Sequence, residues 1–253
     1  MSGRSLALAL LAAALAAGAA SADTPSKIPP QIITAAANPA RQADRELDAA
    51  RHGPAIAAFA GVRSGAKVID LIPGGGYWTR LFSLIVGPKG HVYGVWPAPY
   101  AAEDTDGVKA YAATVANPAF PNVSVSTQPA TEIKAPEKAD LVFTAQNYHD
   151  YPDKFMGKVD PAVLNKAVFD ALKPGGIYLV IDHSAAAGSG MRDTDTLHRI
   201  DAAIVKKQVT AAGFTFVGES KLLANPQDDH SKMVFDKTIR GHTDQFIYKF
   251  RKP

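Results

Sequence analysis

Histidine and aspartate residues gather at three places in the second half of the chain, and both residue types can move protons or bind cations. The three segments are Asn147–Asp150, Asp182–Ser184 and His198–Asp201. Histidine accepts a proton near neutral pH, and a neighbouring carboxylate can fix the orientation of its ring. The catalytic candidates are therefore His149, Asp182 and His183. Asp150 and Asp201 are alternatives to Asp182 for orienting an imidazole.

The other polar side chains of these segments are candidates for binding a substrate. They are Asn147, Tyr148, His198, Arg199 and Asp201. Each has a structural alternative, because Asn and Asp also favour turns and caps, and an Arg–Asp pair can lie on a helix surface. A divalent cation is a further alternative for the histidines and aspartates. No tight ligand spacing such as His-x-x-x-His occurs, so no metal site is predicted.

A different kind of site is predicted where an apolar segment meets three consecutive glycines. Val68–Trp78 reads VIDLIPGGGYW, which places Gly74, Gly75 and Gly76 directly before a helix-like segment. Glycine allows a sharp turn and lets a ligand approach the backbone closely. A dinucleotide fingerprint needs a third glycine where Thr79 stands, and the Gly-Lys-Ser/Thr ending of a phosphate-binding loop is absent. The glycines therefore predict a ligand site, whereas both phosphate-binding patterns fit poorly.

Strand-like and helix-like segments alternate along the chain, which is typical of a parallel sheet covered by helices on both faces. Strands are predicted over Lys67–Ile72, His91–Trp96, Val123–Thr127, Asp140–Thr144, Ile177–Asp182, Phe214–Leu222 and Phe246–Phe250. Helices are predicted over Tyr77–Val86, Asp104–Ala116, Pro161–Leu172 and Thr194–Ala212, after two N-terminal helices between Asn38 and Ala60. We predict one α/β domain with a doubly wound, mostly parallel seven-stranded sheet. The carboxyl ends of parallel strands share one edge, so the glycines and the polar segments should lie close together.

The segment Asp228–Asp244 is long for a connection between two strands. Polar and basic residues alternate along it. Connections of this length are often functional or mobile. Two interpretations stay open. The segment closes over a substrate, with Arg240 binding an anionic group, or it is an exposed loop without a chemical role.

The composition and the N-terminus restrict the setting in which the protein works. The chain of 253 residues has a formal net charge of only +3 with scattered basic residues, which argues against nucleic-acid binding. Arg4, the apolar run Leu6–Ala17 and the small residues Ala20–Ala22 have the pattern of a signal peptide. The predicted boundaries are a signal peptide over 1–22, a flexible lead-in over 23–37 and one domain over 38–253. We expect export to the periplasm, no stable membrane insertion after cleavage, and no disulfide because cysteine is absent.

Three motifs in register give the chain a resemblance to a known superfamily. VIDLIPGGG at Val68–Gly76 resembles the first motif of class I S-adenosylmethionine-dependent methyltransferases, in which an acid closes the first strand and a Gly-x-Gly follows. LKPGG at Leu172–Gly176 and AGF at Ala212–Phe214 resemble the turns before the fifth and sixth strands of that superfamily. The stretches PGGGYWT, NYHD, DHSA, LHRID and IRGHTDQFIYKF resemble, more narrowly, a family of exported predicted methyltransferases.

The resemblance implies S-adenosylmethionine as the cofactor, and it carries over to single residues. The residues on cofactor-loop positions are Asp70, Gly74, Gly75 and Gly76, and the further candidate cofactor contacts are Tyr77, Trp96 and Gln128. Two positions depart from the pattern of the superfamily. Ile72 stands where the first glycine is usual, and Trp96 stands where an acid usually holds the ribose hydroxyls. Glu103 or Asp104 would then have to reach the ribose from the following loop.

The expected activity is methyl transfer from S-adenosylmethionine to an unidentified small-molecule acceptor. Tyr77, Trp78 and Tyr148 are candidates to place aromatic faces against the sulfonium cation. A second interpretation is a non-catalytic exported binding protein that keeps the fold, since an exported enzyme needs a supply of cofactor outside the cytoplasm. A third is a nicotinamide oxidoreductase, and Thr79 and the LKPGG turn argue against it.

Overall fold

One seven-stranded sheet forms the centre of the computed structural model, which describes residues 27–253. The strands are β1 (Lys67–Leu71), β2 (His91–Pro97), β3 (Val123–Gln128), β4 (Ala139–Ala145), β5 (Leu172–His183), β6 (Thr215–Ser220) and β7 (Gln245–Arg251). Their spatial order is β3-β2-β1-β4-β5-β7-β6. Neighbouring strands are parallel except around β7, which runs antiparallel to both β5 and β6. The predicted doubly wound, mostly parallel sheet is confirmed.

Helices cover both faces of this sheet. They are α1 (Pro30–Ala36), α2 (Arg45–Arg51), α3 (Gly53–Ala60), α4 (Tyr77–Val86), α5 (Ala98–Glu103), α6 (Thr105–Ala116), α7 (Pro161–Ala171), α8 (Thr194–Leu197) and α9 (Ala202–Ala211), with 3₁₀ turns at Pro39–Asp44 and Tyr148–Asp150. Within residues 27–253, no helix is long and apolar enough to cross a membrane.

Helix α4 shows how apolar spacing fixes a helix to the sheet. Leu81, Phe82 and Ile85 recur at helical spacing and are buried. The ring of Phe82 lies 5.0 Å from that of Phe143 on β4. Burying one such side chain fully is worth about 1.5–3 kcal/mol. This packing holds the N-terminus of α4 at the carboxyl end of β1.

The chain order of the strands reverses between β1 and β4. Strand β1 pairs with β2 on one side and with β4 on the other, and the chain builds β2 and β3 before it crosses to β4. At such a switch point the loops after the two strands leave in opposite directions and open a crevice. The glycines after β1 and the segment Asn147–Asp150 after β4 flank this crevice.

The flexible lead-in predicted over 23–37 is wrong for its second half. Helix α1 occupies Pro30–Ala36, its Ile32 is fully buried, and it packs against α4. Proline at the first helical position favours this start, and the burial of Ile32 stabilises the helix on the domain. The signal peptide predicted over 1–22 and residues 23–26 lie outside the described residues.

The single helix predicted over Thr194–Ala212 is also wrong, because the chain breaks it into α8 and α9. His198 adopts a left-handed backbone with a φ of 52°. Ile200 then forms a parallel bridge at the end of β5, and the side chain of Asp201 caps α9. The apolar residues of this segment have helical spacing, but a buried connection to β5 interrupts the helix. The break places His198 at the ligand edge of the sheet.

Candidate active-site cavity

A cavity of about 840 Å³ opens at the carboxyl ends of β1, β4 and β5. The predicted site residues that line it are Asp70, Gly74, Gly75, Tyr77, Asn147, His149, His183 and His198. The predicted site residues outside its lining are Gly76, Trp96, Gln128, Tyr148, Asp182, Arg199 and Asp201. The structure therefore brings the glycine loop and the histidine segments together in one cavity.

Gly74 and Gly75 present open backbone to this cavity. A Cβ atom placed on either residue would meet no other atom within 4 Å. Gly76 faces other atoms, since a Cβ there would lie 2.8 Å from Nη1 of Arg80 and 3.0 Å from Oγ1 of Thr114. Its φ of 82° forms the left-handed turn that starts α4. Gly76 thus shapes the turn. The backbone of Gly74 and Gly75 forms the open surface of the loop, which faces the cavity.

Ile72, which stands where the superfamily pattern has its first glycine, adopts a left-handed backbone conformation. Its φ is 52°, which is in the left-handed region that favours glycine. Its N–H donates to the carbonyl of Val95 at 2.9 Å, and its carbonyl accepts from Nδ2 of Asn147 at 3.2 Å. Such a conformation costs a non-glycine residue about 1–3 kcal/mol. These two hydrogen bonds hold the backbone of Ile72 in its left-handed conformation at the start of the glycine loop.

Asp70 is buried at the end of β1 and contributes to the wall of the cavity. Its Oδ2 accepts a hydrogen bond from the hydroxyl of Thr79 at 2.5 Å. Burial raises the pKa of Asp70 to about 7, and the bond from Thr79 offsets only part of this effect. A cationic ligand in the cavity would favour the ionised carboxylate.

Tyr77 and Trp78 form an aromatic part of the wall. The phenolic hydroxyl of Tyr77 donates to Oδ1 of Asp48 at 2.6 Å, which fixes the ring. The ring of Trp78 meets that of Tyr77 edge-on, with the centroids 5.0 Å apart. Aromatic faces attract cations, so both residues suit a ligand with a positive charge.

Trp96 and Gln128, two predicted cofactor contacts, do not line the cavity. Trp96 is fully buried, its ring centroid lies 6.1 Å from that of Tyr100, and its indole N–H finds no hydrogen-bond partner among the described residues. The side chain of Gln128 donates to Oγ of Ser126 at 2.7 Å and bonds with the backbone of Lys134 in both directions. The side-chain amide of Gln128 therefore stabilises the loop that contains Lys134, which lies outside the cavity.

A carboxylate nevertheless reaches the cavity from the segment after β2. Glu103 and Asp104 both line it. Asp104 caps α6, because its Oδ1 accepts from the N–H of Gly107 at 2.9 Å. Glu103 is exposed at the end of α5. Of these two acids, Glu103 is the one that is free of a capping role.

His149 lies in a buried network of carboxylates on the opposite wall. Its Nδ1 is 2.7 Å from Oδ1 of Asp182, and its Nε2 is 3.2 Å from Oδ1 of Asp150. Asp182 also accepts the backbone N–H of His149 through Oδ2 at 2.9 Å, so it holds the ring firmly. Burial lowers the pKa of His149, but the two carboxylates outweigh burial and raise it well above its usual value. A protonated imidazole cannot accept a proton, which argues against a general-base role for His149.

His183 has the opposite electrostatic character. Its Nδ1 lies 2.8 Å from Oγ1 of Thr243. Burial lowers the pKa of His183 to about 4, although the nearby Asp182 works against this change. His183 is therefore neutral near neutral pH, and a pKa this low makes it a weaker base than an exposed imidazole.

His198 completes this wall from the break between α8 and α9. Its Nδ1 lies 3.4 Å from Nε2 of His149 and 3.8 Å from Oδ1 of Asp150. Its side chain is 28% exposed, so it is the most accessible of these three groups. His149 and Asp150 are adjacent in the sequence, but His198 lies 49 residues from His149, so spacing along the chain does not reveal this cluster.

Tyr148 and Asp201 were predicted to bind a substrate, but the structure gives them structural roles. The hydroxyl of Tyr148 is buried, accepts from Nδ2 of Asn165 at 2.8 Å and donates to Gln208 at 3.1 Å. The carboxylate of Asp201 caps α9 and also accepts from the N–H of Gly188 at 2.9 Å. Hydrogen bonds of this kind satisfy buried polar groups within the protein, and neither side chain lines the cavity.

Arg199 was also predicted to bind a substrate, and it is fully buried away from the cavity. Its guanidinium lies 2.9 Å from Oδ2 of Asp228. It also donates to the carbonyls of Ser184 and Lys232, each at 2.9 Å. Arg199 therefore anchors the segment between β6 and β7 to the end of β5.

Replacing Arg199 with methionine is expected to lower the free energy of unfolding by about 3–5 kcal/mol, because Asp228 is left as a buried, unpaired charge. Urea denaturation measures this loss. The matched control is Arg192→Met, which removes an exposed guanidinium that pairs with its neighbour Asp193 at 2.9 Å. That control should change the stability by less than about 1 kcal/mol. Equal losses in the two variants would contradict the anchoring role.

The segment between β6 and β7 borders the cavity. Val234 and Phe235 line it, and Arg240 and Thr243 line an adjoining cavity of about 350 Å³. His183 lines both cavities. Of the two interpretations of this segment, the one that places it over a bound substrate fits this position.

Sequence reasoning missed several residues of the cavity wall, and four of them are polar or aromatic side chains of particular interest. These four are Arg51, Tyr100, Gln146 and Phe155. Gln146 directly follows β4, so its place after a predicted strand could have indicated that it lies at the carboxyl edge of the sheet. The rings of Tyr100 and Phe155 approach to 5.8 Å from two different connections, and no local pattern predicts such a contact.

Comparison with protein-family models gave no match, and comparison with curated proteins gave none either. Solved structures do match. A SAM-dependent methyltransferase from Aquifex aeolicus is 17% identical with a TM-score of 0.60, over 90% of this chain and 100% of that one. The [4+2]-cyclase SpnF is 17% identical with a TM-score of 0.58, over 84% and 82%. The glycopeptide N-methyltransferase MtfA, solved with sinefungin, is 14% identical with a TM-score of 0.55, over 81% and 87%.

At these identities the likeness establishes the fold. The chain has the class I fold of S-adenosylmethionine-dependent methyltransferases.

Proposed function

We propose that this protein transfers a methyl group from S-adenosylmethionine to a small molecule. The observation that carries the proposal is the open face of Gly74 and Gly75, which borders the large cavity at the switch point of the sheet. A loop without side chains lets a cofactor lie directly against the backbone. The volume of about 840 Å³ lies in the upper part of the range for small-molecule sites, about 300–1,000 Å³, and leaves room for an acceptor.

The residues of one wall suit the parts of this cofactor. S-Adenosylmethionine would supply an electrophilic methyl group on a sulfonium cation. Tyr77 and Trp78 offer aromatic faces to that cation, and the cation would in turn favour the ionised form of Asp70. Glu103 takes the position of the ribose-binding acid, because the buried Trp96 at the end of β2 cannot.

Replacing Glu103 with glutamine is expected to weaken the binding of adenosylhomocysteine about tenfold, since hydrogen bonds to a charged acceptor are worth about 1.5–3 kcal/mol. Isothermal titration calorimetry measures the change. The matched control is Glu46→Gln, an exposed acid of α2 outside the cavity lining, which should bind like the wild type. Unchanged affinity in Glu103→Gln would remove Glu103 from the cofactor site.

The opposite wall suits a polar acceptor. Methylation of a hydroxyl or an amine releases a proton, and His183 is neutral and lines the cavity, so it is the group proposed to accept this proton. His149 and Asp150 carry opposite charges and would position the acceptor through hydrogen bonds. Such positioning can account for several powers of ten in rate.

An activity assay tests the proposal. Release of adenosylhomocysteine from S-adenosylmethionine is measured with a panel of phenols, amines and hydroxy acids. With an acceptor that turns over, His183→Gln is expected to lower kcat by about 100-fold and to leave the binding of adenosylhomocysteine unchanged. His242→Gln, an exposed histidine outside the cavity, is the control and should keep full activity.

A non-catalytic binding protein is the second candidate, and the buried Trp96 in place of the usual acid favours it. Binding of adenosylhomocysteine without turnover of any acceptor in the panel would support this candidate. Export to the periplasm is part of the proposal in both cases. Its support is the pattern of Arg4, Leu6–Ala17 and Ala20–Ala22, and sequencing the N-terminus of the protein recovered from cells tests it.

A further inference from the structure

Three possible metal ligands meet in one corner of the cavity. Nε2 of His149 lies 3.2 Å from Oδ1 of Asp150 and 3.4 Å from Nδ1 of His198, and the last two atoms are 3.8 Å apart. The circle through these three atoms has a radius of about 2.0 Å, which matches the metal–ligand distances of about 2.0–2.2 Å for imidazole and carboxylate. A single ion therefore fits among the three atoms with only small movements of the ligands.

The ring of His149 is oriented as in a metal-binding histidine. Its Nδ1 lies 2.7 Å from Oδ1 of Asp182, so Nε2 is the nitrogen that faces the cluster. Asp182 is itself fixed, because it also accepts the backbone N–H groups of His149 at 2.9 Å and His183 at 2.8 Å. A carboxylate behind a histidine in this way fixes the ring and makes it a better metal ligand.

The cluster is buried on one side and open on the other. The side chains of His149 and Asp150 are almost fully buried, whereas that of His198 is 28% exposed. All three residues line the cavity of about 840 Å³. An ion held there would keep coordination positions for water or for an oxygen atom of a bound molecule.

We propose that His149, Asp150 and His198 bind one divalent transition-metal ion, with Zn²⁺ as the representative ion. Two imidazoles and one carboxylate suit Zn²⁺ and its first-row neighbours, whereas Mg²⁺ and Ca²⁺ prefer oxygen ligands throughout. The ion takes the place of the proton on Nε2 of His149. It favours an acceptor with a hydroxyl or carboxylate oxygen, which would bind the ion beside the cofactor wall. The site itself does not depend on the proposed methyl transfer.

Calorimetric titration of the chelator-treated full chain with Zn²⁺ tests this site. We expect one equivalent to bind with a micromolar or tighter dissociation constant, and Mg²⁺ to bind at least about 100-fold more weakly. His198→Asn removes one ligand from the exposed side and should weaken Zn²⁺ binding at least about 100-fold. Asp182→Asn, which removes no ligand but loosens the ring of His149, should weaken it about 10–100-fold.

The matched control is His230→Asn. His230 has a side chain that is 26% exposed and lies 3.0 Å from Asp244, so it resembles His198 in exposure and in its acidic partner. Its replacement should leave Zn²⁺ binding unchanged. Absence of Zn²⁺ binding by the wild type, equal affinity in His198→Asn, or equal weakening in His230→Asn would overturn the proposal.

A titration with adenosylhomocysteine in the same preparation separates this site from the proposed function. Adenosylhomocysteine binding without Zn²⁺ binding refutes only the metal site. Zn²⁺ binding that depends on His198, without any adenosylhomocysteine binding, supports the metal site and refutes only the cofactor proposal. His198→Asn should still bind adenosylhomocysteine, and this result also shows that the variant is folded.

Discussion

Asp70→Asn is expected to be more stable than the wild type at about pH 8 and to bind S-adenosylmethionine more weakly. The pKa of Asp70 is about 7 in the folded chain against 3.8 for an exposed carboxyl. Between these values the folded chain binds more protons than the unfolded chain, so the stability of the wild type falls as the pH rises through about 7. Asparagine stays neutral and can still accept from Thr79. The expected gain is about 4 kcal/mol at about pH 8 and close to zero at about pH 4.

The binding of the cofactor should change in the opposite direction. Asp70 lines the cavity, and its ionised form would attract a cationic ligand, so asparagine should weaken the binding of S-adenosylmethionine about tenfold at about pH 8. Urea denaturation at both pH values and calorimetric titration measure the two effects. Asp106→Asn is the control, because Asp106 is exposed and its stability change should stay within about 0.5 kcal/mol. A variant that gains no stability at the higher pH would show that the carboxyl of Asp70 is not destabilised by its burial.

Gly75→Val is expected to abolish cofactor binding without unfolding the protein. The backbone of Gly75 lies outside the left-handed region, and a Cβ atom there meets nothing within 4 Å. The first carbon of a side chain can therefore be added without a clash, and we expect the stability of the valine variant to change by less than about 1 kcal/mol. Its side chain would occupy the space proposed for the cofactor. We expect the affinity for adenosylhomocysteine to fall at least about 100-fold, which corresponds to about 2.8 kcal/mol.

Gly76→Ala provides the contrasting case from the same loop. The φ of 82° and the contact of 2.8 Å with Arg80 make a side chain there unfavourable in the free protein. Alanine at this position should cost about 1–2 kcal/mol of stability, whatever ligand is present. Thermal denaturation separates the two variants. If Gly75→Val destabilised the protein as much as Gly76→Ala, a lost ligand face could not be distinguished from a damaged loop.

The fold could be predicted because its signals are local and repeated. Helix α4 begins after the glycines and ends at Gly87, and both limits can be read from adjacent residues. The first half of the sheet follows from short apolar segments such as Lys67–Leu71, which are buried on both faces. The glycine loop could be predicted for the same reason. A simple turn after a buried strand rarely needs three consecutive glycines, so they indicate a ligand site.

The remaining site residues depend on contacts that a linear pattern does not contain. Arg199 and His198 are neighbours in the sequence, yet one is buried on Asp228 and the other lines the cavity. Their polar character is the same, and only the break between α8 and α9 separates their environments. His149 and His183 also look alike in the sequence. Two carboxylates raise the pKa of the first, whereas burial lowers the pKa of the second.

Calorimetric titration of the full chain with adenosylhomocysteine, with Gly75→Val beside the wild type, tests the central claim most directly. We expect the wild type to bind one equivalent with a micromolar dissociation constant, worth about 8 kcal/mol, and the variant to show no heat of binding at the same concentrations. Absence of binding by the wild type at about millimolar ligand would contradict the proposal that the cofactor binds against Gly74 and Gly75. Equal binding by the variant would contradict it as well.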